Sequence, residues 1–284
     1  MTLQVSIGRF SLTVPAQPLT ASAFAPFGDL PFDAVSANQG TAIKYQHVSR
    51  PRNLYAQAPS AVPAEMVINM FEAASSRGTR TGEAREHRRA DPDRRLPGVL
   101  HEDVRAEDIP SDDDQSLIEE LASPPPAPTP PSPHQPRALS LADARAHQFP
   151  VTILERHPYT SQTFIPLSSP RRRAAYLVIV APTISNTPDY PAMPTPRGRG
   201  LPGPGLPDLR RLRAFVASGD QAVTYGAGTW HAPMVVLGRA EDKVDFVVVQ
   251  FANGVGREDC QEVVLQSEAP EGGGVHVEIR GIRS

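Results

Sequence analysis

Apolar positions along the chain fall into short runs. VTILERH, AAYLVIVAP, AVTYG, MVVLG, VDFVVVQF and VHVEI are rich in Val and Ile and bounded by Gly, Pro or charge, as β-strands are. Alternation at Met66, Ile68 and Met70 predicts a further strand nearer the N-terminus. Helical spacing is rarer. Thr20 or Ser22 can cap a short helix through Phe24. In DLRRLRAFVASG, Asp208 reads as an N-cap, Leu209, Leu212 and Phe215 recur at helical spacing, and Gly219 reads as the stop. Many short strands, turn signals about every ten residues and few helices predict a β-barrel or sandwich with small helical additions.

The pattern breaks twice. Between Phe71 and Phe149 there is no Phe, Tyr or Trp, and the segment runs from a basic block through an acidic one into PPPAPTPPSPHQP. Such sequence cannot bury enough apolar surface to offset chain entropy. Residues 75–138 are therefore expected to be a disordered insertion, with at most a short helix near Gln115–Leu121. It divides one barrel domain into an N-terminal part, 1–74, and a C-terminal part, 139–284. The second break, the Pro/Gly-rich stretch 183–207, is expected to be a mobile surface loop near a site.

Composition narrows the class. The 284 residues carry a net charge of -3, without the basic excess that a nucleic-acid or membrane-surface role needs. No apolar run approaches the roughly 18 residues of a membrane span, and MTLQVSIGRFSLTVPA has neither the charged start nor the continuous apolar stretch of a signal peptide. The C-terminal RGIRS is not a peroxisomal signal. The one cysteine, Cys260, cannot form an internal disulfide and reads as a small packed residue. A cytoplasmic protein is expected.

Two histidines sit at strand ends beside turn residues. His157 closes VTILERH and precedes Pro158, with Gln162, Phe164 and Pro166 downstream; His231 lies in YGAGTWHAP after Tyr225 and Trp230. At the mouth of a small barrel, strand ends converge on an apolar cavity. Imidazoles titrate near neutrality and can serve as acid or base. The spacing Gly228 to His231 matches the second metal motif of cupin barrels. The first motif is incomplete: His157-Pro158-Tyr159 lacks a second His, and Gln162 stands where a carboxylate is needed. Two histidines and an amide make a poor zinc site. No cofactor is therefore expected, and a divalent metal on His157, Gln162 and His231 is the alternative. ANQGTAIKYQHV adds Asn38, Lys44 and Tyr45, of which Lys44 can bind a carboxylate as a point charge. No nucleophile elbow, P-loop or dinucleotide fingerprint is present.

LERHPYTSQTFIPL, LRAFVASGDQAVTYGAGTWHAPMVV and DFVVVQFANGVGREDC, with TASAFAPFGD and NQGTAIKY before them, together resemble the ureidoglycolate lyase family in its fungal form. The resemblance implies a cupin-like β-barrel, a homodimer, and cleavage of (S)-ureidoglycolate to glyoxylate and urea in allantoin breakdown. It makes His231 and His157 the acid–base pair, in either order. Lys44 becomes the carboxylate site, Asn38, Gln162 and Tyr45 partners of the ureido group, and Phe164, Tyr225 and Trp230 pocket walls, with Pro166 and Pro233. Two other readings are a ureidoglycolate amidohydrolase releasing ammonia and a non-catalytic cupin-like protein that binds a small acid.

Overall fold

The computed structural model describes residues 2–30, 33–46, 48–74, 147–167, 174–185, 190, 193–238, 242–269 and 273–280. All belong to one compact unit made of residues 1–80 and 142–284. The expected disordered insertion 75–138 and the helix near 115–121 lie outside the described residues.

The chain is mostly β. Its N-terminal part forms β1 (Thr2–Gly8), β2 (Ser11–Pro15), β3 (Gln17–Pro18), β4 (Gly28–Asp29), β5 (Asp33–Ala37), β6 (Ala42–Gln46) and β7 (Glu65–Ala74). The C-terminal part begins with β8 (His147–Pro150), β9 (Ile153–Arg156), β10 (Gln162–Pro166), β11 (Ala174–Ala181) and β12 (Arg213–Ser218). It continues with β13 (Val223–Tyr225), β14 (Trp230–His231), β15 (Val235–Val236), β16 (Lys243–Ala252), β17 (Gln261–Ser267) and β18 (Gly274–Ile279). Two four-residue helices, α1 (Ala21–Phe24) and α2 (Gly256–Asp259), complete it. Thr20 caps α1 by accepting from the Ala23 amide, as the Thr/Ser signal implied.

An eight-stranded sheet runs β1-β17-β9-β14-β11-β12-β3, with β15 paired to β11. A five-stranded sheet runs β4-β13-β10-β16-β7, a three-stranded one β2-β18-β8, and β5–β6 form a separate hairpin. These pairings close no single barrel among the described strands; the layers agree with a cupin-like β architecture. Strand β11 shows why the layers stack as they do. Leu177, Ile179 and Ala181 enter one core cluster with Leu154, Trp230, Val263, Val275 and Val277. Tyr176, Val178 and Val180 enter another with Phe164, Phe215, Tyr225, Phe246 and Val248. A strand covered on both faces must be apolar at every position, which explains the unbroken run AAYLVIVA.

One expectation is corrected. Asp208 does cap a helical turn, its carboxylate accepting from the Arg210 amide, but that turn covers only Leu209–Arg211. Residues Arg213–Ser218 are β12, antiparallel to β11. The short run RAFVAS buries side chains on both faces of the sheet, so packing overrides the helical spacing of Leu212 and Phe215. The described stretch 193–207 is irregular and exposed at Arg197–Gly200, with its ends anchored. Met193 and Leu206 are core residues, and its carbonyls at Pro194 and Gly203 accept from Gln261 Nε2 and from Arg156.

Candidate functional site

Strand β9 carries Glu155, and His157 follows it by two residues. Alternation along an extended chain turns both to one side and sends Leu154 and Arg156 to the other. Strand β14 lies antiparallel to β9 with His231 directly opposite Glu155, so their side chains share a face. Glu155 Oε1 lies 3.5 Å from His231 Nε2. The imidazole rings of His157 and His231 have centroids 5.7 Å apart. One ligand-type atom from each of Glu155, His157 and His231 falls within 4.8 Å of the others.

Both rings are held by their far nitrogens. His157 Nδ1 lies 2.6 Å from the Asp259 carbonyl, and His231 Nδ1 lies 3.0 Å from the Thr229 carbonyl. A carbonyl only accepts, so each Nδ1 carries a proton and turns its ring so that Nε2 faces the other members of the cluster. Both Nε2 atoms are buried and make no hydrogen bond. The residues themselves are 8% and 2% exposed. Tyr225 stacks flat on His231, with centroids 4.0 Å apart and planes 11° apart. It fixes the ring from below.

Burial sets the charge states. Desolvation, and then the nearby charge of His231, hold the His157 imidazole below its ordinary value. Burial pushes the Glu155 carboxyl up, but His231, His157 and Cys260 together outweigh it and leave the group lowered. The Tyr225 hydroxyl is pushed well up by burial and stays protonated. Cys260, with Sγ 3.9 Å from Glu155 Oε2, is raised by burial to about 12 and is no thiolate nucleophile.

The turn that delivers His231 depends on Gly228. Its φ of +76° favours glycine, and its amide donates to the His157 carbonyl at 2.8 Å. One turn thus ties the two histidine segments together. The His157 anchor is braced in its own right. Asp259 Oδ1 accepts from Tyr55 Oη at 2.6 Å and from the Asn253 amide, and Oδ2 accepts from the Gly254 amide. Tyr55 comes from the N-terminal part of the chain, so residues on both sides of the insertion build one site.

The residues expected from sequence separate into groups. His157, His231, Tyr225, Phe164 and Gln162 come together: Gln162 is the cross-strand partner of Tyr225, and Phe164 meets the Tyr225 ring edge-on at 5.9 Å. Trp230 does not join them. Adjacent strand residues face opposite sides, and Trp230 lies in the other core cluster under the Arg156 guanidinium, 4.4 Å from its ring centroid. Arg156 is wholly buried, donates to Gln261 and Gly203, and is pulled by burial to about 9. Asn38, Lys44 and Tyr45 are exposed on the β5–β6 hairpin and its turn. No hydrogen bond or ion pair joins them to the histidines among the described residues. Glu155 was the residue that sequence reasoning missed. Its signal was the two-residue spacing to His157 within a strand.

Two buried imidazoles whose Nε2 atoms make no hydrogen bond lie beside a carboxylate between packed β-sheets, a β-architecture arrangement with the chemical means to move a proton. The same three side chains could also hold a divalent cation, since His, His and carboxylate are strong ligands with both Nδ1 anchored. The family model for ureidoglycolate lyase matches residues 11–270, and the chain belongs to that family. It is 32% identical over 260 residues to the ureidoglycolate lyase of Schizosaccharomyces pombe, covering 90% of this chain and 92% of the relative. With the ureidoglycolate lyase of Saccharomyces cerevisiae it shares 41% identity over 121 residues, 43% of this chain and 52% of that protein. The Burkholderia cepacia ureidoglycolate lyase is 33% identical over 132 residues, 46% of this chain and 54% of the relative.

Proposed function

We propose that this lyase cleaves (S)-ureidoglycolate to glyoxylate and urea, with His157 as base and His231 as acid. The reaction is an elimination at a hemiaminal carbon. The base takes the hydroxyl proton, the C=O bond forms as the C–N bond breaks, and the acid protonates the departing urea nitrogen. No water is consumed. The observation that carries the assignment is the asymmetry of the pair. Burial keeps His157 neutral with its lone pair on Nε2, the form a base requires. His231 Nε2 lies 3.5 Å from Glu155 Oε1, a carboxylate placed to accept from that nitrogen when it carries the proton an acid must deliver. Tyr225 and Phe164 line the same side and keep it dry, which strengthens each contact.

Gln162 is assigned to the ureido group. Lys44 is the cation we assign to the substrate carboxylate, with Asn38 and Tyr45 beside it on the hairpin. A place in allantoin breakdown follows from the substrate. The lone cysteine is in keeping with the reducing cytoplasm. A homodimer accords with the exposed apolar row Met66, Ile68 and Met70 on β7.

A second reading rests on the same cluster. A divalent cation held by His157 Nε2, His231 Nε2 and Glu155 would supply Lewis-acid polarisation of the substrate oxygen. One assay separates the two: purified protein is incubated with ureidoglycolate, with and without a chelator, and urea, ammonia and glyoxylate are measured. Urea and glyoxylate in equal amounts with chelator present support the acid–base pair. Loss of turnover with chelator, restored by metal, supports the cation. Ammonia in place of urea, or no turnover, overturns the lyase assignment.

A further inference from the structure

The ureido group of the substrate has three N–H donors and so needs acceptors. Among the described residues, Gln162 offers one that nothing uses: its Oε1 is buried and makes no hydrogen bond. Gln162 is 5% exposed and stands opposite Tyr225, whose ring stacks on His231. An amide, however, can present either end. Rotated by half a turn, Gln162 would offer an NH₂ where the oxygen now is, and two donors would face each other. Something must hold it one way round.

We infer that Gln250, on β16, is a positioning residue for ureido recognition: in the arrangement seen, its Oε1 accepts from Gln162 Nε2 and leaves Gln162 Oε1 for the substrate's N–H groups. The contact is 2.8 Å long. Strands β10 and β16 are antiparallel neighbours, with Thr163 opposite Val249. That register sets Gln162 beside Gln250, on the face that also carries Phe164 and Val248. Fixing the amide in advance spares the site the entropy of selecting a rotamer when substrate arrives. The inference deepens the lyase reading and rests on it. It concerns the ureido end of the substrate, not the proton transfers, so it acts on binding more than on turnover.

The test compares two variants at Gln250. Gln250→Met keeps the shape and removes the acceptor; Gln250→Glu keeps an oxygen that can only accept, and so locks Gln162 the same way round. The readout is the ratio of KM for ureidoglycolate to the inhibition constant of glyoxylate. Glyoxylate shares the carboxylate and lacks the ureido group, so any change in the electrostatics of anion binding cancels in the ratio. In Q250M the ratio rises about five- to tenfold, the scale of one hydrogen bond, while kcat changes less than about twofold. In Q250E the ratio stays within about twofold of the parent. An unchanged ratio in folded Q250M overturns the inference, as does an equal rise in both variants. Absence of ureidoglycolate turnover in the parent protein is a separate outcome and overturns the lyase reading itself.

Discussion

Glu155→Gln is the substitution that tests the site most directly. It keeps shape and volume and removes one negative charge 3.5 Å from His231 Nε2. At an effective dielectric of about 20, unit charges at that distance attract by roughly 4–5 kcal/mol. The Glu155 side chain is 25% exposed, so solvent screens part of this, and about 2–3 kcal/mol should remain. In the acid–base assignment that energy favours the positive charge His231 must carry before it protonates the departing urea nitrogen. Its loss should lower kcat about 30- to 150-fold. The assay is initial-rate urea release at neutral pH, paired with a thermal melt to show that the variant is folded. A folded variant with kcat within about threefold of the parent would refute the role given to Glu155. Metal content measured on both proteins adds a second readout. If a cation sits on the cluster, the variant should also lose it, because a carboxamide is a weaker ligand.

Four further outcomes are expected. His157→Ala and His231→Ala should each lower turnover about a hundredfold or more, the usual scale for losing a general acid or base; full activity in both folded variants would sink the assignment. Lys44→Ala should raise KM for the anionic substrate with little change in kcat, and an unchanged KM removes Lys44 from the site. Tyr55→Phe removes the donor that braces Asp259. It should cost about 1 kcal/mol of stability and a few-fold in kcat, read by denaturant unfolding and steady-state kinetics. Stability should also depend on pH. His157 is held below its ordinary value in the folded state, so its contribution is complete above the unfolded value of about 6.5. It is lost as pH falls through the lowered folded value, because the unfolded chain binds the extra proton first. Denaturant midpoints that stay flat as the pH is lowered from about 7 through the acid range would contradict the buried neutral state of His157.

Much of the fold was readable because strands announce themselves by short-range pattern. The runs around β9, β11, β13, β15, β16 and β18 lie where the Val/Ile clusters predicted them. So does β7, from alternation at Met66, Ile68 and Met70, although that row is exposed. The failure at 208–219 has a definite cause. Helical spacing of Leu209, Leu212 and Phe215 is a weak local preference, and pairing of Arg213–Ser218 with β11 satisfies the backbone while filling both cores. What composition does not carry is the anchoring of the Pro/Gly stretch, whose Gly203 and Pro194 carbonyls accept from Arg156 and Gln261.

The chain by itself determined the β class, the two histidines, and their company of Gln162, Phe164 and Tyr225, because turn residues and aromatic clusters are encoded within a few positions of each histidine. Tertiary structure alone decided which partners face them. Glu155 meets His231 only because β9 and β14 are antiparallel in that register. One step along β14, Trp230 turns to the opposite face and joins the other core cluster. Asp259 and Tyr55 brace His157 from positions 102 residues away on either side of it. Strand pairing is a long-range contact, and a slip of one residue would reverse every side chain; no local pattern carries that information.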